Sequence, residues 1–352
     1  MRLRGHITTH WIVSTMLGGA LLATSGCGPD EPASRRELDP QGATLLAQAQ
    51  RAYLRGGYER ALALLDSAEA FVAETPDLWF LRGVVLTEMY RFDESDEALQ
   101  HARDLDETFR SVRFNLGHNA FLQSAVFARN EYRTALRYYR DEERLLRRAI
   151  RRSRDPKDVR GLSAVLTQIG TTYARINRPD SARATFTEAI AVDSSNALAF
   201  SSLASLQRDA GEFEPALQNA LRAAELDARN AEYRMQVGMI LFELERYEEA
   251  LPYLLEAERH RPWDPTAVYA LGNVLVELDS VDRGRALLLR ADTLEELRSS
   301  IDRAHMRLFK NPSDPIRWEN YAYLLHRAGR TAEARKAINV MMTLPGADSL
   351  IQ

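Results

Sequence analysis

The sequence has little of what a disulfide-linked, turn-rich or membrane-spanning protein needs. One cysteine, Cys27, stands among 352 residues, so an intramolecular disulfide framework and a cysteine-based zinc cluster are both excluded. Glycine and proline contribute only 18 and 13 residues, which argues against a turn-rich β protein and a disordered chain. Since 45% of the residues are hydrophobic, the sequence predicts a large helical core that is held by packing alone.

Lysine is also scarce, because Lys157, Lys310 and Lys336 are the only three and all other basic residues are arginines. The 50 acidic residues outnumber the 46 basic ones, which gives a formal net charge of -4. The general basic footprint of a nucleic-acid-binding protein is missing. The sequence therefore predicts no nucleic-acid partner.

Residues 1–26 have the organisation of an export signal. Two arginines precede an apolar run, residues 11–23, which is too short to span a bilayer. Small residues then lead into Cys27, and this stretch resembles a bacterial lipoprotein signal with Thr24 where leucine is usual. The resemblance implies lipidation of Cys27, with residues 27–41 as lipid anchor and tether. The alternative is an ordinary cleaved signal and a secreted soluble protein.

Beyond the tether the chain repeats with a period of 34 residues. Small residues recur at this interval, and two further series of small residues follow them 12 and 19 positions later. Small side chains at fixed points let two antiparallel helices approach closely, so the pattern predicts one helical hairpin, repeated. The first series consists of Ala49, Gly83 and Gly117, then Gly170, Ala204, Gly238 and Gly272.

The repeated pattern resembles that of the tetratricopeptide repeat family. Residues 163–196 show the match through Leu166, Ile169, Gly170, Tyr173, Ala182, Phe186 and Ala189. The resemblance implies an all-α fold, a right-handed superhelical solenoid of antiparallel helix pairs. Eight candidate repeats begin at residues 42, 76, 110, 163, 197, 231, 265 and 315.

Two intervals are longer than one period and predict two lengthened second helices. Gly117 and Gly170 are 53 residues apart, and Gly284 and Ala334 are 50 apart. Both surplus segments lack glycine and proline until Asp155-Pro156 and Asn311-Pro312. The predicted organisation is repeats 1–3 at 42–143, a helical extension at 144–162, repeats 4–7 at 163–298, a second extension at 299–314 and repeat 8 at 315–348.

The sequence offers no catalytic constellation. Among the histidines after residue 26, no two lie at helical ligand spacing, which excludes a helix-borne zinc pair. A Gly-rich phosphate loop and a Gly-x-Ser-x-Gly elbow are absent. The sequence predicts a protein that is not an enzyme and that uses no metal and no cofactor.

In the tetratricopeptide repeat family, fixed positions on the first helix of each repeat line a concave surface. Apolar residues exposed there would mark an interaction site, although several of the aromatic ones could instead face the seam between helices. Carried onto this chain, the positions give the candidate partner-binding residues Phe80, Val84, Phe114, His118, Phe121, Met235, Met239, Phe242, Tyr269, Asn273 and Tyr323. Of these, Phe114, Phe121, Met239 and Phe242 are expected to be exposed.

Two further features lie on second helices. Six arginines from Arg133 to Arg151 recur at steps of three and four, which places them on one side of a helix. They could form a surface for anionic lipid or an acidic partner. We favour the alternative, a solvated face with local ion pairs. The last predicted helix keeps Ile338, Met342 and Leu344 at positions that an internal repeat would cover. We expect a second copy or another partner there, or a fold-back of Leu350 and Ile351.

Together these features predict a membrane-anchored scaffold or adaptor of the bacterial cell envelope, facing the periplasm or the exterior. It would bind protein segments in the concave groove during envelope complex assembly. The architecture resembles that of bacterial tetratricopeptide repeat lipoproteins. The alternative is a glycan-binding or small-molecule-binding accessory protein, with Tyr269, Asn273 and Tyr323 as a sugar platform.

Overall fold

A computed structural model describes residues 39–347, apart from residues 110, 128–129, 312 and 343. The predicted signal, Cys27 and nearly all of the tether lie outside the described residues, as do Leu350 and Ile351. Lipidation and the fold-back therefore stay predictions. No membrane-spanning helix is present among the described residues, because none of them combines sufficient length with sufficient hydropathy.

The described residues form sixteen α-helices that pack as eight consecutive antiparallel hairpins. This confirms the predicted all-α solenoid of helix pairs. The first helices of the hairpins are α1 (Pro40–Leu54), α3 (Pro76–Glu88), α5 (Val112–Phe127), α7 (Pro156–Arg175), α9 (Ala197–Asp209), α11 (Ala231–Glu243), α13 (Pro265–Glu277) and α15 (Pro315–Arg327). The second helices are α2 (Tyr58–Val72), α4 (Phe92–Leu105), α6 (Tyr132–Arg152), α8 (Pro179–Val192), α10 (Phe213–Leu226), α12 (Tyr247–His260), α14 (Val281–Lys310) and α16 (Thr331–Met341).

Local sequence signals start and end the first helices. Asp39, Asp155 and Asp314 each cap a helix by accepting hydrogen bonds from backbone N–H groups of its first turn. A proline follows each of these caps, where its missing N–H has no intrahelical acceptor to lose. After the first helix of every hairpin, the loop to the second helix contains a residue with positive φ, for example Gly56 or Asn177.

The small residues of the 34-residue series hold the two helices of a hairpin close together. A Cβ atom at Gly170 would lie 2.6 Å from the ring of Phe186, and one at Gly117 would lie 2.8 Å from the ring of Tyr139. Both rings are almost completely buried. The small-residue period therefore reflects close helix packing, as the sequence predicts.

The first surplus segment is divided between two helices. The second helix α6 is lengthened and ends before Asp155-Pro156, as predicted, but the extension over 144–162 is not one continuous helix, because its later residues lengthen the first helix α7. Helix α6 has 21 residues and α7 has 20, whereas the other first helices have 13 to 16. Residues 153–155 break the helix between them. A residue before proline disfavours the helical conformation, and the Asp155 side chain accepts from the Lys157 N–H at 2.8 Å, which starts a new helix.

The second surplus segment lies entirely in α14, which continues for 30 residues without a break. A regular second helix such as α12 has 14 residues. The additional 16 residues extend α14 by about 24 Å, at 1.5 Å per residue. This extension carries the last hairpin away from the regular stack.

The two ends of the hairpin array share one hydrophobic core. Ile301 and Leu308 from the extension of α14, and Trp318 and Leu325 from α15, belong to the same buried cluster as residues of α1 to α5. The ring of His305 stacks between both ends, with its centroid 5.1 Å from that of Tyr90 and 5.1 Å from that of Tyr321. We call this contact between the first and last hairpins the closure.

The closure also covers part of the last helix, which the sequence analysis did not foresee. Ala337, Val340 and Met341 of α16 are buried in the shared core, and Leu344 packs against it. Ile338 and Met342 remain 43% and 46% exposed. Part of the apolar face of α16 is therefore covered within the same chain. Self-association through the part that stays exposed, Ile338 and Met342, remains a prediction.

Candidate functional site

The first helices of the middle hairpins form one continuous wall. Helix α7 contacts α9, α9 contacts α11, and α11 contacts α13, in addition to the contacts inside each hairpin. Side chains of these helices that point away from the second helix of their own hairpin therefore lie on a common surface. We call this surface the first-helix wall.

A polar contact joins α9 to α11 in this wall. The Gln236 amide donates to the Ser205 hydroxyl at 2.8 Å and to the Ser201 carbonyl at 2.9 Å. The Ser201 hydroxyl in turn donates to the Gln236 side-chain oxygen at 2.9 Å. These bonds fix the two helices against each other beside the candidate binding residues.

An apolar stretch follows along the wall, made of half-buried and exposed side chains. Met235, Met239 and Phe242 of α11 are half-buried, and Met239 and Phe242 pack against the core of repeats 5 to 7. Tyr269 of α13 is 49% exposed. The expectation of apolar surface on α11 is thus met in part, since these side chains keep one side in the core.

Tyr323 of α15 is more exposed still, at 58%, and the Arg327 guanidinium lies 5.9 Å from the centroid of its ring. Asn273 is half-buried and donates to the Tyr269 carbonyl of its own helix at 2.9 Å. One amide donor of Asn273 is thereby used within α13. This reduces what Asn273 could offer to a sugar.

Five of the predicted partner-binding residues are buried, so the expectation that Phe114 and Phe121 are exposed is wrong. The Phe114 ring packs 5.6 Å from that of Tyr139, and the Phe121 ring packs 5.7 Å from that of Tyr132, both on α6. These aromatic residues face the seam of their hairpin. The buried set comprises Phe80, Val84, Phe114, His118 and Phe121.

The burial of this set has a common cause in the packing of α3 and α5. Every residue from 112 to 124 is buried, so α5 has neighbours all around it. Phe80 of α3 packs against Phe109, with ring centroids 5.5 Å apart, and belongs to the core shared with the last hairpin. The groove positions of the first helices are therefore packed inside the protein in repeats 2 and 3, whereas in repeats 6 to 8 they are partly exposed to solvent.

His118 is 2% exposed, and burial lowers its pKa to about 4. The ring is therefore neutral near pH 7. Its stacked neighbour is Phe114, at a centroid distance of 6.4 Å. His118 is a residue of the α5 interior and offers no positive charge to a partner.

Sequence reasoning missed a buried polar cluster between repeats 2 and 3. The Asn119 amide donates to Ser95 at 2.9 Å and to Asp96 at 2.8 Å, and Thr87 donates to the Asn119 side-chain oxygen at 2.8 Å. Burial raises the pKa of the Asp96 carboxyl to about 6, with the Asn119 hydrogen bond opposing the shift. Serine at the small-residue position 95 was the available signal.

The arginine series on α6 forms local ion pairs, in line with the alternative that we favoured. Arg140 and Arg147 both reach Glu143, at 2.7 Å and 2.9 Å. Arg147 also pairs with Glu188 on α8, and Arg144 pairs with Asp141. These contacts tie α6 to its neighbours, and exposed pairs of this kind contribute little to stability.

Two of the clefts on the described surface differ in the charge of their lining residues. One, of about 480 Å³, has mixed charge and is lined by Arg103, Asp104, Glu107, Arg113, Tyr138 and Asp141. The other, of about 450 Å³, lies between the first and last hairpins, where Asn339 faces residues of α1 and α2. We call the second one the closure cleft. Within the described residues, no group of three or more histidine, cysteine or carboxylate side chains is arranged to hold a metal ion.

A stack of helical hairpins with a wall of first helices defines an α-solenoid of the protein-interaction type. The family model for the tetratricopeptide repeat matches this chain at residues 167–234, 203–265 and 235–298. This match shows that residues 167–298 consist of tetratricopeptide repeats, and the other described hairpins have the same helix-pair architecture. No protein with curated annotation matches the sequence.

Solved structures with the same fold share little sequence with this chain. PilF of Pseudomonas aeruginosa is 18% identical, with a TM-score of 0.50 over 64% of this chain and 95% of its own. PilW, a type IV pilus biogenesis factor, is 16% identical, with a TM-score of 0.52 over 67% and 99%. Acl4, an assembly chaperone of RpL4, is 16% identical, with a TM-score of 0.51 over 70% and 99%. These likenesses show the fold alone.

Proposed function

We propose that this protein is a non-enzymatic scaffold or adaptor that binds protein segments on its first-helix wall. The observation that carries the proposal is the apolar stretch formed by Met235, Met239, Phe242 and Tyr269. These side chains lie on two adjacent first helices and keep part of their surface outside the core. Apolar surface of this kind is characteristic of interaction sites.

The chemistry of this stretch suits an extended protein segment. Methionine side chains adapt their shape to varied partners, and tyrosine combines an apolar ring with a hydroxyl that can hydrogen-bond. The hydrogen-bonded Ser201, Ser205 and Gln236 lie beside the apolar residues on the same wall. A peptide with alternating apolar and polar side chains would therefore find complementary groups along it.

Two of the proteins with a similar fold take part in assembly. PilW is described as a pilus biogenesis factor and Acl4 as an assembly chaperone. We infer that this protein likewise supports the assembly of a complex, in this case at the bacterial cell envelope. The envelope location rests on the export signal and Cys27 in the sequence.

The first-helix wall is tested with the variant Met239→Gln/Tyr269→Gln. We expect it to capture less partner than the wild type when the anchored protein is crosslinked in cell envelopes and isolated with its partners. The control is Leu289→Gln, which removes a 70% exposed leucine from a second helix. Leu289→Gln should unfold within about 0.5 kcal/mol of the wild type and Met239→Gln/Tyr269→Gln within about 2 kcal/mol, because Met239 keeps one side in the core.

If both variants capture the same partners as the wild type, the wall is not the binding surface. An unfolding free energy for Met239→Gln/Tyr269→Gln typical of a core variant would instead show that these residues serve packing.

The membrane anchor is tested separately with Cys27→Ser. We expect the variant to leave the membrane fraction or to accumulate unprocessed, because lipidation needs the thiol. A Cys27→Ser protein that is processed and stays with membranes at high salt would contradict anchoring through this residue.

A further inference from the structure

The closure cleft has an unusual set of walls. Seven residues of the first hairpin and one residue of the last hairpin line its volume of about 450 Å³. Arg51 lies in the last turn of α1, Arg55 is the residue that caps the C-terminal end of this helix, and Arg60 lies on α2. The complete lining is Gln48, Arg51, Ala52, Arg55, Gly57, Arg60, Leu64 and Asn339.

The three arginines of the cleft have no acidic partner. Within residues 39–347, leaving aside the undescribed positions, no carboxylate lies within ion-pair distance of Arg51, Arg55 or Arg60, and all three are exposed. The aliphatic part of the Lys336 side chain, on α16, lies near Gly56, which precedes the cleft residue Gly57. No acidic side chain lines the cleft.

Elsewhere in the molecule, arginines on neighbouring hairpins are matched with carboxylates. Arg183 pairs with Glu212 at 2.8 Å, and Arg290 pairs with Glu258 at 2.7 Å. Three like charges around one recess repel one another unless an anion enters it. In the closure cleft three arginines of one hairpin come together with no carboxylate among the lining residues, so the cleft has an excess of positive charge.

The remaining lining groups indicate the kind of anion. A volume of about 450 Å³ is several times that of one phosphate or carboxylate group. Gln48 and Asn339 supply neutral amides that can pair with peptide groups, while Ala52 and Leu64 offer apolar surface to side-chain carbons. Guanidinium groups bind carboxylates through two parallel hydrogen bonds.

We propose that the closure cleft binds an acidic peptide segment that carries two or more carboxylates. The carboxylates pair with Arg51, Arg55 and Arg60, and the segment bridges the first hairpin to Asn339 on the last one. This site is distinct from the first-helix wall, and the proposal stands whether or not that wall binds a partner. A recess suits a peptide better than it suits the flat headgroup surface of a membrane.

The test uses the purified full chain and a fluorescein-labelled hexa-aspartate peptide, followed by fluorescence anisotropy. We expect saturable binding that weakens as salt rises, because the contacts are charged. The variant Arg51→Gln/Arg55→Gln/Arg60→Gln should lose at least tenfold in affinity. Asn339→Asp, which adds a carboxylate from the other wall, should also weaken binding.

The matched control is Arg148→Gln/Arg151→Gln/Arg152→Gln. It removes the same charge from three exposed arginines that also lack ion pairs among the described residues, at the end of α6. We expect its affinity for the peptide to equal that of the wild type. Equal losses in the control and the cleft variant would show attraction by net charge alone and would overturn the proposal.

Two further probes separate the peptide from other anions. Inorganic phosphate at the same concentration should not displace the peptide, and phosphatidylglycerol vesicles should not sediment the protein through the cleft arginines. Binding of phosphate or vesicles that depends on Arg51, Arg55 and Arg60, without peptide binding, would overturn the proposal. Wild-type affinity in the cleft variant would do the same.

Discussion

The middle and the ends of the hairpin array use the same sequence pattern for different purposes. In the middle, α9 and α11 pack against their own second helices and the adjacent hairpins, and one side of each remains partly open. At the ends, α5 is buried over residues 112–124, and α15 joins a core with the first repeats. The first helices therefore differ in burial, because α5 is enclosed over residues 112–124 whereas α11 and α15 keep half-buried or exposed side chains such as Met239 and Tyr323.

The family model matches residues 167–298, which include the middle hairpins. The repeats outside this region carry contacts that the repeat pattern does not contain, such as that of Tyr90 with His305. Phe80 and Trp318 accordingly belong to the core that joins both ends.

The comparison is tested most strongly at Leu308, which is 2% exposed in the extension of α14. Leu308→Ala should destabilise the protein by about 2–5 kcal/mol, because it leaves a cavity in the core that joins both ends. Leu289→Ala on the same helix is the control, since Leu289 is 70% exposed and should change stability by at most about 0.5 kcal/mol. Urea unfolding followed by circular dichroism measures both, and equal midpoints would show that the closure adds no stability.

The buried interior of repeat 3 predicts a loss of stability in acid. The folded pKa of His118, about 4, lies below the unfolded value of 6.5, so the unfolded chain takes up the proton first as pH falls. Stability from this group is complete above pH 6.5 and is lost as pH falls to about 4. The expected loss is on the order of 3 kcal/mol, at about 1.4 kcal/mol per pKa unit.

In His118→Leu this part of the pH dependence should disappear, as measured by urea unfolding at pH 4, 5, 6 and 7. His326→Leu is the control, because His326 is exposed on α15. An unchanged pH profile in His118→Leu would show that His118 is hydrated in the folded protein.

In the middle of the array, packing inside the hairpin should dominate. Gly170→Ala places a Cβ atom 2.6 Å from Phe186 and should cost about 1–3 kcal/mol. Gly161→Ala, in the added turns of the same helix, places a Cβ atom 3.4 Å from Leu146 and should be neutral or stabilising by up to about 1 kcal/mol. Thermal unfolding of both variants measures the contrast, and a similar loss in each would mean that helix propensity alone does not explain Gly161.

The smallest effect is expected at Asp96, between repeats 2 and 3. Its folded pKa of about 6 lies above the ordinary aspartate pKa of 3.8, so the unfolded chain loses its proton first as pH rises. Stability from this group is complete below pH 3.8 and is lost by about pH 6, opposite in sign to the effect of His118. Asp96→Asn keeps an acceptor for Asn119 and should stabilise the protein at pH 7 by on the order of 1–2 kcal/mol. Equal stabilisation at pH 3.5 would contradict this cause.

Much of the fold could be predicted from the sequence because it depends on local signals. Small residues such as Gly170 mark the close approach of two helices, and Asp-Pro pairs such as Asp155-Pro156 mark helix starts. The same pair also follows the end of the lengthened α6, as predicted. The residues after it lengthen the first helix α7, whereas the sequence analysis placed them in an extension of the second helix.

The closure and the binding residues were harder to predict, for a physical reason. Contact between residue 90 and residue 305 leaves no periodic trace in the sequence. An apolar residue at a groove position is also compatible with a partner or with the interior, so Phe114 and Met239 look alike until the packing around them is known. What distinguishes the two residues is the second helix of the hairpin, where Tyr139 contacts Phe114 directly.

The uninterrupted length of α14 sets a rotational phase for the last hairpin. Each residue of an α-helix turns by about 100° and advances by about 1.5 Å. One residue added near Glu295 would therefore turn Ile301 and Leu308 away from the first repeats, whereas seven added residues would restore their direction about 10 Å further out. The number of residues in α14 thus determines how the last hairpin is oriented relative to the first repeats.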